Sequence, residues 1–196
     1  MKLNIGGQHN ITEFSGCGWV CVDMEPGSDY VVKIDEDPLP FSDGSVDAIY
    51  ASHVIEHIFS DKLPYVLNEF KRVLCPGGKL RIVVPDMDIV INAYINKDYE
   101  FLKYYDVTAR GMEGGGVFPH DSLYHMISWF FTYYMEGEKR VFSHVNGFTK
   151  QSIRLYLESV GFKNIIDMEY GISTDIFNSC DFEGHKICSL YIEATN

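Results

Sequence analysis

Long apolar runs are missing from this chain. No stretch approaches the roughly 20 residues that a membrane-spanning helix needs, so no membrane partner is expected. The opening Met1-Lys2-Leu3-Asn4-Ile5 turns polar too soon to read as a secretion signal, which leads to the expectation of a cytoplasmic protein. Basic residues are scarce: 16 Lys and Arg stand against 28 Asp and Glu, a formal net charge of -12. No Lys/Arg cluster interrupts that acidity. Nucleic-acid binding rests on neutralising phosphates, so a DNA or RNA partner is excluded as an expectation. Cysteine is sparse and odd in number, with Cys17, Cys21, Cys75, Cys180 and Cys188 loosely spaced. That argues against a disulfide framework. Cys17 and Cys21 lie near His9, but no second close pair completes a zinc set, and no metal site is expected. Repeats and low-complexity segments are absent too. What remains is an ordinary globular composition, 46% hydrophobic and 22% charged over 196 residues, enough for one well-filled domain spanning residues 1–196.

Within it, short β-prone runs alternate with helical patterns, which predicts a parallel sheet covered by helices. Strands are expected at Lys2 to Ile5, Trp19 to Asp23, Tyr30 to Ile34, Val46 to Tyr50 and Leu80 to Val84. A helix capped by Ser60 carries Leu63, Leu67, Phe70 and Leu74 on one face and stops at Pro76-Gly77-Gly78. A second runs from Thr149 to Val160, with Gly161 at its C-cap. Lys163 to Glu169 and Ile187 to Ala194 read as the last strands, the final one alternating as an antiparallel strand near an edge would. The fold class is therefore α/β: a Rossmann-like doubly wound sheet of about seven strands, mostly parallel with an antiparallel last strand. Residues 86–148 stand apart as a helical insertion after the fifth strand, read as two or three helices and a lid. They are dense in aromatics such as Tyr94, Tyr104, Trp129 and Phe130, and are punctuated by Gly111 and Gly114-Gly115-Gly116.

In open α/β sheets, ligands bind beyond the carboxyl ends of the strands, so the residues just after each strand matter most. They are Gly6-Gly7, then Asp23-Met24, then Asp35-Glu36-Asp37, then Ser52-His53 leading to Glu56-His57. Glycines let a ligand approach the backbone, and a strand-end carboxylate suits a ribose or an amino group. Two signatures are missing. No Gly-x-Gly-x-x-Gly opens a helix after the first strand, which counts against a nicotinamide-dependent oxidoreductase. No Asn/Asp-Pro-Pro-Tyr/Phe follows the fourth, which counts against methylation of nucleic-acid bases.

The run from Pro38-Leu39-Pro40-Phe41 through Asp43, Ser45 and Asp47 resembles a signature of the methyltransferase type 11 family, among the class I S-adenosylmethionine-dependent methyltransferases. Ser52-His53-Val54-Ile55-Glu56-His57, Arg72-Val73-Leu74-Cys75-Pro76-Gly77-Gly78 and Gly18-Trp19-Val20-Cys21-Val22-Asp23 resemble further elements of that family and of a compact subgroup of it. The likeness is strong over residues 1–86, moderate over 147–194, and slight in the insertion. It departs from the family at Asn4, where an acid is usual, and at Gln8, where a further glycine is usual.

The resemblance implies S-adenosyl-L-methionine as cofactor, held by Asn4, Gly6, Gly7, Asp23, Met24, Asp35, Glu36, Ser52 and His53. Asp23 would take the ribose and Asp35 the adenine amine. Ser52 and His53 would line the reacting end. Glu56 and His57 fit the motif equally well as structural residues opening the next helix. Where an acceptor needs a base, His53 and His120 are the candidates, with His125 and His144 also within the reach of a lid. The acceptor is expected to be a small molecule or a glycan, and a homodimer is possible on this pattern. The alternative is a catalytically silent cofactor-binding or scaffold protein on the same fold.

Overall fold

The computed structural model describes residues 1–7, 18–101, 133–136, 139–142, 144–178 and 180–196. Gln8, His9 and Cys17 lie outside these, as do Gly111, Gly114 to Gly116, His120, His125, Trp129 and Phe130 of the insertion.

Seven strands form one sheet in the order β3-β2-β1-β4-β5-β9-β8. The strands β1 (Lys2–Ile5), β2 (Trp19–Asp23), β3 (Tyr30–Val31), β4 (Val46–Ser52) and β5 (Leu74–Pro85) run parallel. The last, β9 (Ser189–Thr195), inserts antiparallel between β5 and β8 (Lys163–Met168). A parallel sheet must be covered on both faces, and the sequence obliges. On one face Leu3, Ile5, Ile49, Leu80, Ile82 and Ile192 pack on the helices α1 (Leu63–Val73) and α3 (Lys150–Ser159). On the other, Ala48, Tyr50, Val83 and Tyr191 meet Phe177 and Cys180 from the connection between β8 and β9. That connection carries two 3-10 turns, Asp175–Phe177 and Glu183–His185.

Several boundaries differ from expectation, each for a local reason. The third strand ends at Val31 because the chain turns: the amides of Glu36 and Asp37 both donate to the Lys33 carbonyl, at 2.9 and 2.8 Å. Ser60 caps no helix; α1 begins after Lys62, and the Ser60 hydroxyl donates to Asn146 instead. α3 begins where expected, with a reciprocal capping box between Thr149 and Ser152. It closes on Gly161 at φ 86°, where the Phe162 amide donates to the Leu157 carbonyl. The final strand is antiparallel and near an edge as expected: β9 lies one strand in from β8, the edge strand.

The insertion departs most. It opens with a helix, α2 (Met87–Ile95), capped by the Asp86 carboxylate. Its later described part is a two-stranded antiparallel hairpin of β6 (Tyr133–Glu136) and β7 (Lys139–Phe142), where helices were expected. Its two ends meet: Asp86 forms a parallel bridge with Phe148, and the Met87 amide donates to the Phe148 carbonyl at 2.9 Å.

One motif residue holds the loop before β4. The Arg72 guanidinium donates to the carbonyls of Leu39 and Phe41, to Asp43, and through Nε and Nη2 to Glu69, at 2.7 to 2.9 Å. Glu69 also accepts the Leu39 amide at 2.9 Å. The Pro-Phe-x-Asp and Arg-Val-Leu elements are thus two halves of one structural clamp, which keeps Leu39 and Phe41 in the core. Replacing Arg72 by Ala should lower stability by about 2 kcal/mol in urea denaturation, since charge-assisted bonds to two backbone carbonyls are lost. Arg72→Lys should rescue little, because an ammonium cannot fork to this set. Full rescue by Lys would show that charge alone matters.

Candidate active site

The sheet register brings the strand-end residues together. Ile5 pairs with Val22 on one side and Ala51 on the other. Gly6, Asp23 and Ser52 therefore end three adjacent strands side by side. The Gly6 amide donates to the Val22 carbonyl at 2.8 Å, and the His53 amide to the Val83 carbonyl at 2.8 Å. Gly6 has φ 69°, and a Cβ there would lie 2.2 Å from Val54 Cγ2. Only glycine suits both the conformation and the gap. At Gly7 the missing side chain is replaced by Asn4: a Cβ would meet its amide nitrogen at 2.1 Å. Asn4 itself is buried. The residue that departs from the family pattern thus fills space beneath the glycine turn.

Asp23 is half-buried at the end of β2, and its carboxylate accepts the Glu25 amide at 3.1 Å. Met24 is exposed beside it. Asp35 is half-buried in the turn after β3. Glu36 is exposed and ion-paired to Lys33, whose ammonium that contact holds above the ordinary lysine range. A surface ion pair of this kind leaves Glu36 the least committed of the expected binding residues.

At the end of β4 the polypeptide turns sharply, with His53 at φ 54°. Its ring stacks on His185, centroids 3.6 Å apart and 21° between planes. His53 Nε2 lies 2.9 Å from Ser189 Oγ, and Ser52 Oγ lies 3.3 Å from His185 Nδ1. Burial, then the neighbouring His185, His144 and His57, push the His53 ring well below its ordinary range. Burial likewise lowers His185 to about 4, so both stacked rings are neutral at pH 7. Glu56 is wholly buried one turn further on, its carboxyl raised by that burial to about 8.

His185 and Ser189 were not expected in the site. They reach it from the β8–β9 connection and the start of β9, far from His53 in sequence. No local motif marks them; only the insertion of β9 beside β5 brings them in. Ser52 and His53 follow one another at the end of β4, while His120 lies outside the described residues.

Known proteins share the domain type and the fold. A family model described as "Methyltransferase domain", of type 11, matches residues 19–82. An uncharacterized protein of Methanocaldococcus jannaschii is 32% identical over 93 residues; the match spans 47% of this chain and 40% of that relative. Among solved structures, a SAM-dependent methyltransferase from Archaeoglobus fulgidus is 15% identical with a TM-score of 0.55, aligned over 100% of this chain and 85% of its own. One from Methanosarcina mazei is 18% identical with a TM-score of 0.55, over 100% and 91%. The 1,6-didemethyltoxoflavin-N1-methyltransferase of Burkholderia thailandensis, solved with that substrate and S-adenosylhomocysteine, is 14% identical with a TM-score of 0.54, over 100% and 70%. At such identities these structures speak for the fold. None of these comparisons supports the silent-scaffold alternative. Among the described residues no helix is long and apolar enough to cross a membrane. Residues 19–82 thus match a type 11 methyltransferase domain, and the chain has the fold of these S-adenosylmethionine-dependent methyltransferases.

Proposed function

We propose that this protein transfers a methyl group from S-adenosylmethionine to a small-molecule or glycan acceptor. The observation that carries the reading is the alignment of Gly6, Asp23 and Ser52 on adjacent strand ends, with the close backbone turn at Gly6. In this reading Gly6 and Gly7 pass beside the methionine portion of the cofactor, with Asn4 supporting the turn from beneath. Asp23 holds the ribose, with Met24 flanking it, and Asp35 and Glu36 face the adenine. Ser52 and His53 border the sulfonium methyl, and the His185 stack and Ser189 fix the His53 ring there.

Methyl transfer from a sulfonium is an in-line displacement whose leaving group the cofactor supplies. The protein's task is to align donor and acceptor and to exclude water. The known ends of the insertion, Asp86 and Phe148, meet where β5 ends. We assign acceptor recognition to the insertion on that ground.

Calorimetry with S-adenosylhomocysteine tests the reading without needing the acceptor. One site per chain is expected. Silence toward both S-adenosylhomocysteine and S-adenosylmethionine would overturn it. Asp35→Ala should weaken S-adenosylhomocysteine about tenfold through the loss of one charge-assisted hydrogen bond. It should leave the unliganded melting temperature nearly unchanged, as a half-exposed turn residue outside the core should. A fall in melting temperature with unchanged affinity would make Asp35 a structural residue instead.

A further inference from the structure

Beside the proposed methyl position lie three side chains that methyl transfer as described leaves unused. Glu56 and His57 come from the 3-10 turn after β4, and His144 from the segment after the β6–β7 hairpin. Each offers one ligand atom, and these atoms all lie within 4.8 Å of one another. Glu56 is fully buried, and neither carboxylate oxygen has a hydrogen-bond partner. His53 Nδ1 is 3.3 Å from Oε1 but is not aligned as a hydrogen bond. With neither oxygen bonded within the fold, Glu56 has both left to offer a ligand. His144 is half-buried and His57 exposed, so the cluster has a route to solvent.

The two contributing segments are fastened together. The amides of Val145 and Asn146 both donate to the Glu56 carbonyl, at 2.9 and 3.0 Å. Ser60 Oγ donates to Asn146 Oδ1 at 2.6 Å, and the Asn146 side-chain amide donates to the Ile58 carbonyl. The backbone therefore sets His144 against Glu56 and His57, rather than a chance meeting of surface rotamers. The imidazoles of His57 and His144 stand 5.0 Å apart.

The geometry points to a divalent transition-metal site formed by Glu56, His57 and His144, which presents a hydroxyl-bearing acceptor to the methyl donor. Two imidazoles and one carboxylate form a zinc-type set that leaves a coordination position open. Such nitrogen-rich donors disfavour magnesium and calcium, which want oxygen. Ligand atoms held at about 2.0–2.2 Å from one metal lie closer together than 4.8 Å, so a bound ion would draw the three side chains in. His53, its ring anchored by Ser189, stands beside this set, with Nδ1 3.3 Å from Glu56 Oε1.

The role in catalysis rests on the methyl-transfer reading. At the open position the metal binds the acceptor oxygen and lowers its pKa, and the proton passes to solvent. That oxygen then attacks the sulfonium methyl. The O–C bond forms as the C–S bond breaks, and S-adenosylhomocysteine leaves as the neutral thioether.

The test uses zinc on chain first stripped with a chelator. Bound zinc is counted by elemental analysis, and affinity is read by competition with a chromophoric chelator. One zinc per chain is expected, with His57→Ala and His144→Ala each weakening it by tenfold or more. His57 is exposed, so His57→Ala should keep the melting temperature of the metal-free protein. S-adenosylhomocysteine calorimetry on the same samples separates the two ideas. Cofactor binding with no zinc, or zinc held equally well by both variants, overturns the metal site. Zinc held by these residues with no cofactor binding upholds the metal site and removes the methyl-transfer reading.

Discussion

Arg81→Ala should destabilise the protein by about 3–5 kcal/mol, the range expected when one partner of a buried ion pair is removed. Arg81 is fully buried on the face of the sheet away from α1. Its guanidinium donates to Asp181 through two nitrogens and to Glu193 Oε1 at 2.8 Å. It also reaches the carbonyls of Ile172 and Glu169, at 3.2 and 3.3 Å. Burial opposes its charge, but Asp181 and Glu193 more than restore it, and the group is held above its ordinary range. Without the cation, two buried carboxylates would face each other unpaired. With a typical domain stability of ~5–15 kcal/mol, that is a large share of the whole.

The loss should reach the active site as well. Asp181 also accepts the Gly171 amide at 2.9 Å, and Glu193 accepts the Thr174 hydroxyl at 2.7 Å. The network thus pins the connection that delivers His185 and Ser189 to His53. Arg81→Ala combined with Glu193→Gln should recover part of the stability, since one of the two stranded charges is gone while Thr174 keeps an acceptor. Urea denaturation measures both. A cost below about 1 kcal/mol for Arg81→Ala would mean that water reaches the network.

The same network explains how the polar residues of β9 come to be buried. In β9, Ser189, Tyr191 and Glu193 alternate with Leu190, Ile192 and Ala194, the pattern of a strand with one wet face. All six are buried, because Arg81 and Thr174 satisfy Glu193 and His53 satisfies Ser189. A polar residue read alone signals solvent; a distant partner reverses that meaning, and periodicity carries no record of the partner. The parallel half was legible for the opposite reason. Its strands β1, β2, β4 and β5 are apolar by themselves, its candidate binding residues follow them directly, and Leu39, Phe41 and Arg72 each lie in a contiguous motif, although the clamp joins them across 31 and 33 positions. The hairpin in the insertion was hidden by aromatics read as helix faces. The Gly137-Glu138 pair between two β-prone runs was the hairpin signal available in the sequence. The cluster of Glu56, His57 and His144 lay beyond motif reasoning, since its third member joins the other two only through the fold.

Asp23→Ala should weaken S-adenosylhomocysteine by about ten- to a hundredfold, or roughly 1.5–3 kcal/mol, the worth of charge-assisted hydrogen bonds shielded from solvent. Asp23 stands where β2 ends, beside the Gly6 turn, with Met24 exposed next to it. Its carboxylate also accepts the Glu25 amide, a local bond that shapes the turn. The alanine variant therefore removes two things, and a companion variant separates them. Asn keeps an acceptor for the Glu25 amide but replaces the carboxylate's second acceptor with a donor and removes the charge. If Asp23 holds the ribose, affinity should fall from Asp to Asn to Ala while the melting temperatures of the unliganded Asp and Asn forms stay close. If the residue only shapes the turn, Asn should bind as tightly as Asp, and Ala should lose melting temperature before it loses affinity. Calorimetry on the three proteins decides between these, and normal binding by Asp23→Ala would remove the ribose from the end of β2.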